Sequence, residues 1–113
     1  MISDKFDRNE NPDWEPDALV QVCFSGKDII VKNGYRPHYK VKTDYLTTTI
    51  HWFVDEGIAE PNRRTQAFVK FITPEAYPKC LETGANLEIR EGSRVVGHAE
   101  IQEIYNEQLR KGS

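Results

Sequence analysis

The segment RPHYKVK, residues Arg36–Lys42, decides the fold class of this chain. Its even positions carry Arg, His, Lys and Lys, and the odd positions between them carry Pro, Tyr and Val. Successive side chains of a β-strand point to opposite faces, so the pattern predicts a strand with one packed face and one row of cationic or titratable groups. Arg36 precedes a proline, which keeps that residue extended. Side chains on one face repeat about every 6.6 Å, close to the reach between neighbouring phosphates of an extended nucleic-acid strand.

The segments on both sides of this strand show similar short patterns. Ser25–Asp28 is a turn signal, and we expect Ile29–Val31 to return from it as the second strand of a hairpin. Along the whole chain, the residue pattern predicts six or seven short strands and shows no convincing helical period. This combination is typical of a small antiparallel barrel or sandwich. Two further strand candidates each have an apolar face, formed in one by Val20, Val22 and Phe24 and in the other by Ala67, Val69 and Phe71. Two more strands are expected around Glu91-Gly92-Ser93.

The composition predicts one soluble domain. The 113 residues are 38% apolar and 29% charged, and no apolar run approaches the length of a membrane span. The two cysteines lack metal-ligand spacing, and without a signal peptide we expect them to be reduced and the protein to be cytoplasmic. We interpret residues 1–17 as an acidic flexible extension, 18–105 as the barrel and 106–113 as a polar tail.

Charge is distributed unevenly along the chain. The formal net charge is −3, and residues 1–17 alone carry six acids against two cations, so the remainder has a balance of +1. Residues 27–42 hold five cations against Asp28. The overall sign therefore does not exclude an anionic partner, although it argues against strong binding of polyanions regardless of sequence.

Three motifs resemble the third, C-terminal domain of elongation factor Tu, and they occur in the same order. The first is Gly34-Tyr35-Arg36-Pro37, with Thr47-Thr48-Thr49-Ile50 following at the spacing of that family. The second is Phe71-Ile72-Thr73-Pro74, and the third is Leu87–Gly97, LEIREGSRVVG. The resemblance spans about residues 18–105. It implies a six-stranded antiparallel closed β-barrel, without the GTPase domain or the second barrel of the family. No phosphate-binding glycine loop is present in the sequence.

The resemblance also implies partners and site residues. In the family this domain contacts the T stem of aminoacyl-tRNA, the GTPase domain and the nucleotide-exchange factor. Arg36, Thr47 and Glu91 match family positions near the tRNA. His38 and Lys40 replace a Gln and an aromatic residue, so an inherited tRNA site is in doubt, although the two changes make the row more basic. The residues expected to meet a partner or RNA are Arg36, His38, Lys40, Lys42, Thr47, Arg90 and Glu91.

Several functions remain open from the sequence. The leading hypothesis is a non-catalytic binding module that imitates the third domain and docks on a translation-related protein, or on a toxin or effector that recognises elongation factor Tu. The alternatives are direct binding of tRNA or other RNA, a solvated strand face without a partner, and a small enzyme. His38, His51 and His98 are scattered, with no HxxxH or HExxH pattern. We therefore predict no catalytic, metal or cofactor site, and no membrane partner. The sequence does not predict the oligomeric state.

Overall fold

The computed structural model describes residues 15–42, 45–54, 56–72 and 79–110. No helix within these ranges is long and apolar enough to cross a membrane. The strands are β1 (Ala18–Cys23), β2 (Val31–Lys32), β3 (His38–Lys42), β4 (Tyr45–Phe53), β5 (Ile58–Ala59), β6 (Thr65–Phe71), β7 (Asn86–Glu91) and β8 (Arg94–Ile104), and a 3₁₀ helix covers Glu107–Leu109.

Six of the strands form a closed barrel in the order β1-β6-β4-β3-β7-β8. Each neighbouring pair is antiparallel. This confirms the predicted all-β fold and the six-stranded antiparallel closed barrel. Closure gives every barrel strand a neighbour on both sides, so no strand of the barrel is left as an unpaired edge. The two short strands β2 and β5 pair with each other in a separate sheet.

The inward positions of the alternating strands fill the barrel. In β3, the odd-numbered residues Tyr39 and Val41 are buried. The even-numbered Arg36, just before the strand, is exposed. Fully burying one large apolar side chain contributes about 1.5–3 kcal/mol. A slip of one residue would turn the whole inward row to solvent, so the alternation specifies the register. The predicted inward residues of β1 and β6 and the residue after β1 are all buried: Val20, Val22, Phe24, Ala67, Val69 and Phe71.

The predicted hairpin between β1 and residues 29–31 is wrong. β1 pairs with β6 on one side and with β8 on the other, so neither of its edges is open to the segment that follows it. Val31 instead pairs with Ala59 of β5. Ile29 and Ile30 lie in no strand and are exposed. The turn signal at Ser25–Asp28 predicts a change of direction, but it does not specify which strand the chain meets afterwards.

Residues at both predicted boundaries belong to the packed structure. Asp17 is buried, and its carboxylate accepts hydrogen bonds from the backbone N–H of Phe71 at 2.7 Å and from Asn106 Nδ2 at 3.0 Å. Leu109, assigned to the polar tail, is buried, and its carbonyl accepts from the backbone N–H of Leu81 at 2.8 Å. The rest of the predicted extension (1–14) and the end of the tail (111–113) lie outside the described residues.

Candidate docking face

The outward positions of β3 form the row predicted from RPHYKVK. Arg36 is exposed, and His38 and Lys40 are partly exposed, whereas Tyr39 between them points inward and is buried. Lys42 is the last residue of β3, but its side chain lies outside the described part of the chain. The alternation therefore places the described members of the row on the outer wall of the barrel.

Strand register extends this face sideways across the wall. His38 pairs with Thr48 of β4 on one side and with Arg90 of β7 on the other. Beyond them, the backbone N–H of Ile72 donates to the carbonyl of Thr48 at 3.1 Å, and Arg90 pairs with Val95 of β8. Ile72 and Val95 are 44% and 39% exposed. We name these five residues the docking row: exposed apolar residues at both ends, with a histidine and an arginine at the centre.

A carboxylate interrupts the basic character of this face. Glu88 accepts hydrogen bonds from Nε and Nη2 of Arg90 at 2.9 and 2.6 Å. The bonds from Arg90 lower the pKa of Glu88, and the positive charges of Arg90 and Lys40 lower it further. Glu88 is therefore ionised at neutral pH and offsets part of the positive field around Lys40. The face is mixed in charge rather than uniformly basic.

Glu91, which we expected to face a partner, is partly exposed and is bound to other residues of the barrel. Its Oε2 atom accepts hydrogen bonds from Lys27 Nζ and from Tyr35 Oη, both at 2.6 Å. These bonds lower the pKa of Glu91, the one from Lys27 most. The Lys27 ammonium also lies 5.4 Å from the centre of the Tyr35 ring. Glu91 therefore connects the loop after β1 to the segment before β3, and the structure gives it a positioning role.

Thr47 does not present its side chain to a partner in this structure. It is 3% exposed and lies on the inner face of β4, where Thr49, His51 and Phe53 share its parity. Its hydroxyl oxygen has no hydrogen-bond partner among the described residues. The expectation from the resemblance fails here because the strand period assigns this position to the barrel interior.

Polar side chains occupy part of the barrel interior, which sequence analysis missed. His51 is fully buried, and its Nε2 lies 2.6 Å from the hydroxyl of Tyr39, while its Nδ1 has no partner among the described residues. The ring stacks on Phe53, with centroids 5.7 Å apart. Burial lowers the pKa of His51 to about 3 and raises the pKa of Tyr39. Thr49 donates to the carbonyl of Pro37 at 2.9 Å. The cluster is enclosed, so it cannot meet a macromolecular partner.

A cysteine and a histidine face each other on another part of the outer wall. Cys23 of β1 pairs with His98 of β8, beside a groove that Gln21, Arg64 and Glu100 also line. No hydrogen bond joins the thiol and the ring in the described structure. Within the same ranges, no group of three His, Cys, Asp or Glu side chains could hold a metal ion. The pair therefore lacks the contact that would activate a nucleophile.

Of the predicted site residues, Arg36, His38, Lys40 and Arg90 share one face, and Thr47 and Glu91 do not. The exposed apolar residues near them were not predicted, because the sequence pattern of an isolated apolar residue at the end of a strand is the same whether the side chain is buried or exposed. No protein-family model matches this chain. The resemblance to elongation factor Tu is carried by the three motifs alone.

Proposed function

We propose that this barrel is a non-catalytic binding module that imitates the third domain of elongation factor Tu. It docks, through the face around β3, on a translation-related protein or on a toxin or effector that recognises that factor. The observation that carries the proposal is the docking row, in which Arg90 and His38 lie between exposed Ile72 and Val95. Protein interfaces typically combine an apolar core with arginine, which is enriched among residues that carry binding energy.

The mixed composition of the face favours a protein partner over RNA. An RNA phosphate gains most from cations that no carboxylate neutralises, but Arg90 is already paired with Glu88. The exposed Ile72 and Val95 gain free energy when a protein buries them, about 25 cal/mol for each Å² of apolar surface. RNA binding remains the second candidate, because Arg36 is exposed and has no ion pair with any described residue.

A charge-reversal variant tests the proposal. Arg36→Glu combined with Lys40→Glu is expected to abolish capture of the partner from lysate of the source organism, while the barrel stays folded by circular dichroism. The matched control, Arg63→Glu with Lys79→Glu, makes the same change in net charge at exposed positions elsewhere. Equal capture by both variants would remove the face around β3 from the account.

Nuclease treatment separates the two candidates. A protein partner is expected to stay bound after nuclease treatment, and its affinity is expected to depend only modestly on salt. Binding that is lost with nuclease and falls steeply with salt would instead support the RNA candidate, because each phosphate contact releases counterions.

A further inference from the structure

The loop between β1 and β2 exposes two consecutive isoleucines. Ile29 is 66% exposed and Ile30 is 47% exposed, more than any other large apolar side chain of the described residues. Each exposed isoleucine forgoes much of the stabilisation that burial would supply. Single exposed apolar residues are ordinary, but an adjacent exposed pair, here directly before β2, indicates a contact surface.

The base of this loop is fixed to the barrel by several contacts. The backbone N–H of Gly26 donates to the carbonyl of Val96 at 2.9 Å, and Arg94 Nη2 donates to the carbonyl of Gly26 at 2.6 Å. A Cβ atom at Gly26 would lie 2.7 Å from the carbonyl oxygen of Val95, so only glycine fits. The ion pair of Lys27 with Glu91 adds a third connection, at 2.6 Å. The loop is thus pre-organised, which lowers the entropy lost on binding.

The surroundings of the two isoleucines indicate the chemistry of the occupant. Exposed Lys32 and Arg36 follow them along the chain, and exposed Arg94 holds the base of the loop. Asp28 is exposed directly beside Ile29. An anionic lipid surface would repel that carboxylate, whereas a protein pocket can leave it in solvent at the rim. The combination fits an apolar pocket with acidic groups around part of its edge.

We infer that Ile29 and Ile30 are an anchor that inserts into an apolar, acid-rimmed pocket of the protein partner. The inference rests on the proposed function and adds to it, because it gives the barrel a second contact, on the loop that is fixed to β8 next to Val95 of the docking row. The network of Lys27, Tyr35 and Glu91 acts as the positioning element for this anchor. Glu91 therefore affects binding without touching the partner.

The test begins with a photo-reactive benzoylphenylalanine placed at position 30 and, separately, at position 38. Each protein is irradiated in lysate of the source organism, and the adducts are identified by mass spectrometry. The same protein is expected to be cross-linked from both positions. An adduct from position 38 but not from position 30 overturns the anchor and leaves the proposed function standing. Absence of any adduct from either position overturns both.

The cross-linked protein is then purified, and its Kd is measured by calorimetry. Ile29→Ser with Ile30→Ser is expected to weaken binding by roughly ten- to a hundredfold, from the apolar surface left unburied. Ile29→Val with Ile30→Val, the matched control, is expected to retain most of the affinity. An unchanged Kd in the serine variant overturns the anchor. Binding of the wild-type protein, but not of the serine variant, to vesicles of phosphatidylserine and phosphatidylcholine would also overturn the anchor. An adduct formed only with a second copy of this chain would do the same.

Discussion

Acidification should destabilise the barrel because His51 is neutral in the folded state. The ring is fully buried, its Nδ1 has no partner among the described residues, and burial lowers its pKa to about 3. In the unfolded chain a histidine has a pKa of about 6.5. Between these two values the unfolded state binds the proton and the folded state does not, so stability falls as pH falls. The contribution of His51 is complete above about pH 6.5 and is lost progressively toward pH 3.

The magnitude follows from the two pKa values. Each pH unit in this window costs about 1.36 kcal/mol per proton, so lowering the pH from 7 to 5 should remove about 2 kcal/mol. That is a large fraction of the free energy of unfolding of an ordinary domain, which is about 5–15 kcal/mol. The step from pH 7 to pH 5 lies above the ordinary pKa values of carboxylates, about 3.9–4.3, so their protonation contributes little to this change.

Urea unfolding followed by tryptophan fluorescence at pH 7, 6 and 5 measures this loss. His51→Gln keeps a polar side chain that can bond to Tyr39 but does not titrate, so its loss of stability over the same range should be smaller by about 2 kcal/mol. His98→Gln, at an exposed position, is the matched control and should behave like the wild type. Equal pH dependence in the wild type and His51→Gln would show that protonation of His51 does not destabilise the barrel.

Further predictions concern stability at three other positions. Thr47→Val should leave the free energy of unfolding unchanged or raise it by up to about 1 kcal/mol, since it removes a buried hydroxyl without a partner in the described structure. A loss of more than about 1 kcal/mol in urea unfolding would show that this hydroxyl does make a stabilising hydrogen bond. Glu91→Gln should cost about 1 kcal/mol at pH 7 after solvent screening. Because the folded pKa of Glu91 is lowered, that difference should vanish in strong acid, and a difference that persists there would argue against the ion pair. Gly26→Ala should lower the thermal midpoint by several degrees, because about 1–3 kcal/mol is lost where side chain and backbone collide; an unchanged midpoint would show that the loop can shift.

Local alternation predicted the fold well. The inward residues Val20, Val69 and Tyr39 follow directly from period-two patterns, and the barrel buries each of them. The partner of each strand was harder to predict, because pairing depends on distant segments. The segment around Ile29 illustrates this: the turn before it was visible in the sequence, but both edges of β1 were taken by strands far along the chain.

The candidate site was predictable only in part. Arg36 and His38 follow from the same alternation that predicts the strand. Thr47 was assigned by resemblance, although its parity with buried Phe53 already indicated an inward side chain. The ion pair of Glu91 joins residues 64 positions apart, so no local pattern could have revealed it.

Competition for the partner by the isolated third domain of elongation factor Tu tests whether this barrel imitates the surface of that domain. The partner captured on the wild-type protein is purified, and its binding is titrated with that domain in the presence of nuclease. We expect the domain to displace the partner completely. We also expect the variant Arg36→Glu with Lys40→Glu not to bind the partner at any concentration tested. A partner that stays bound in the presence of excess third domain would contradict the imitation of that surface.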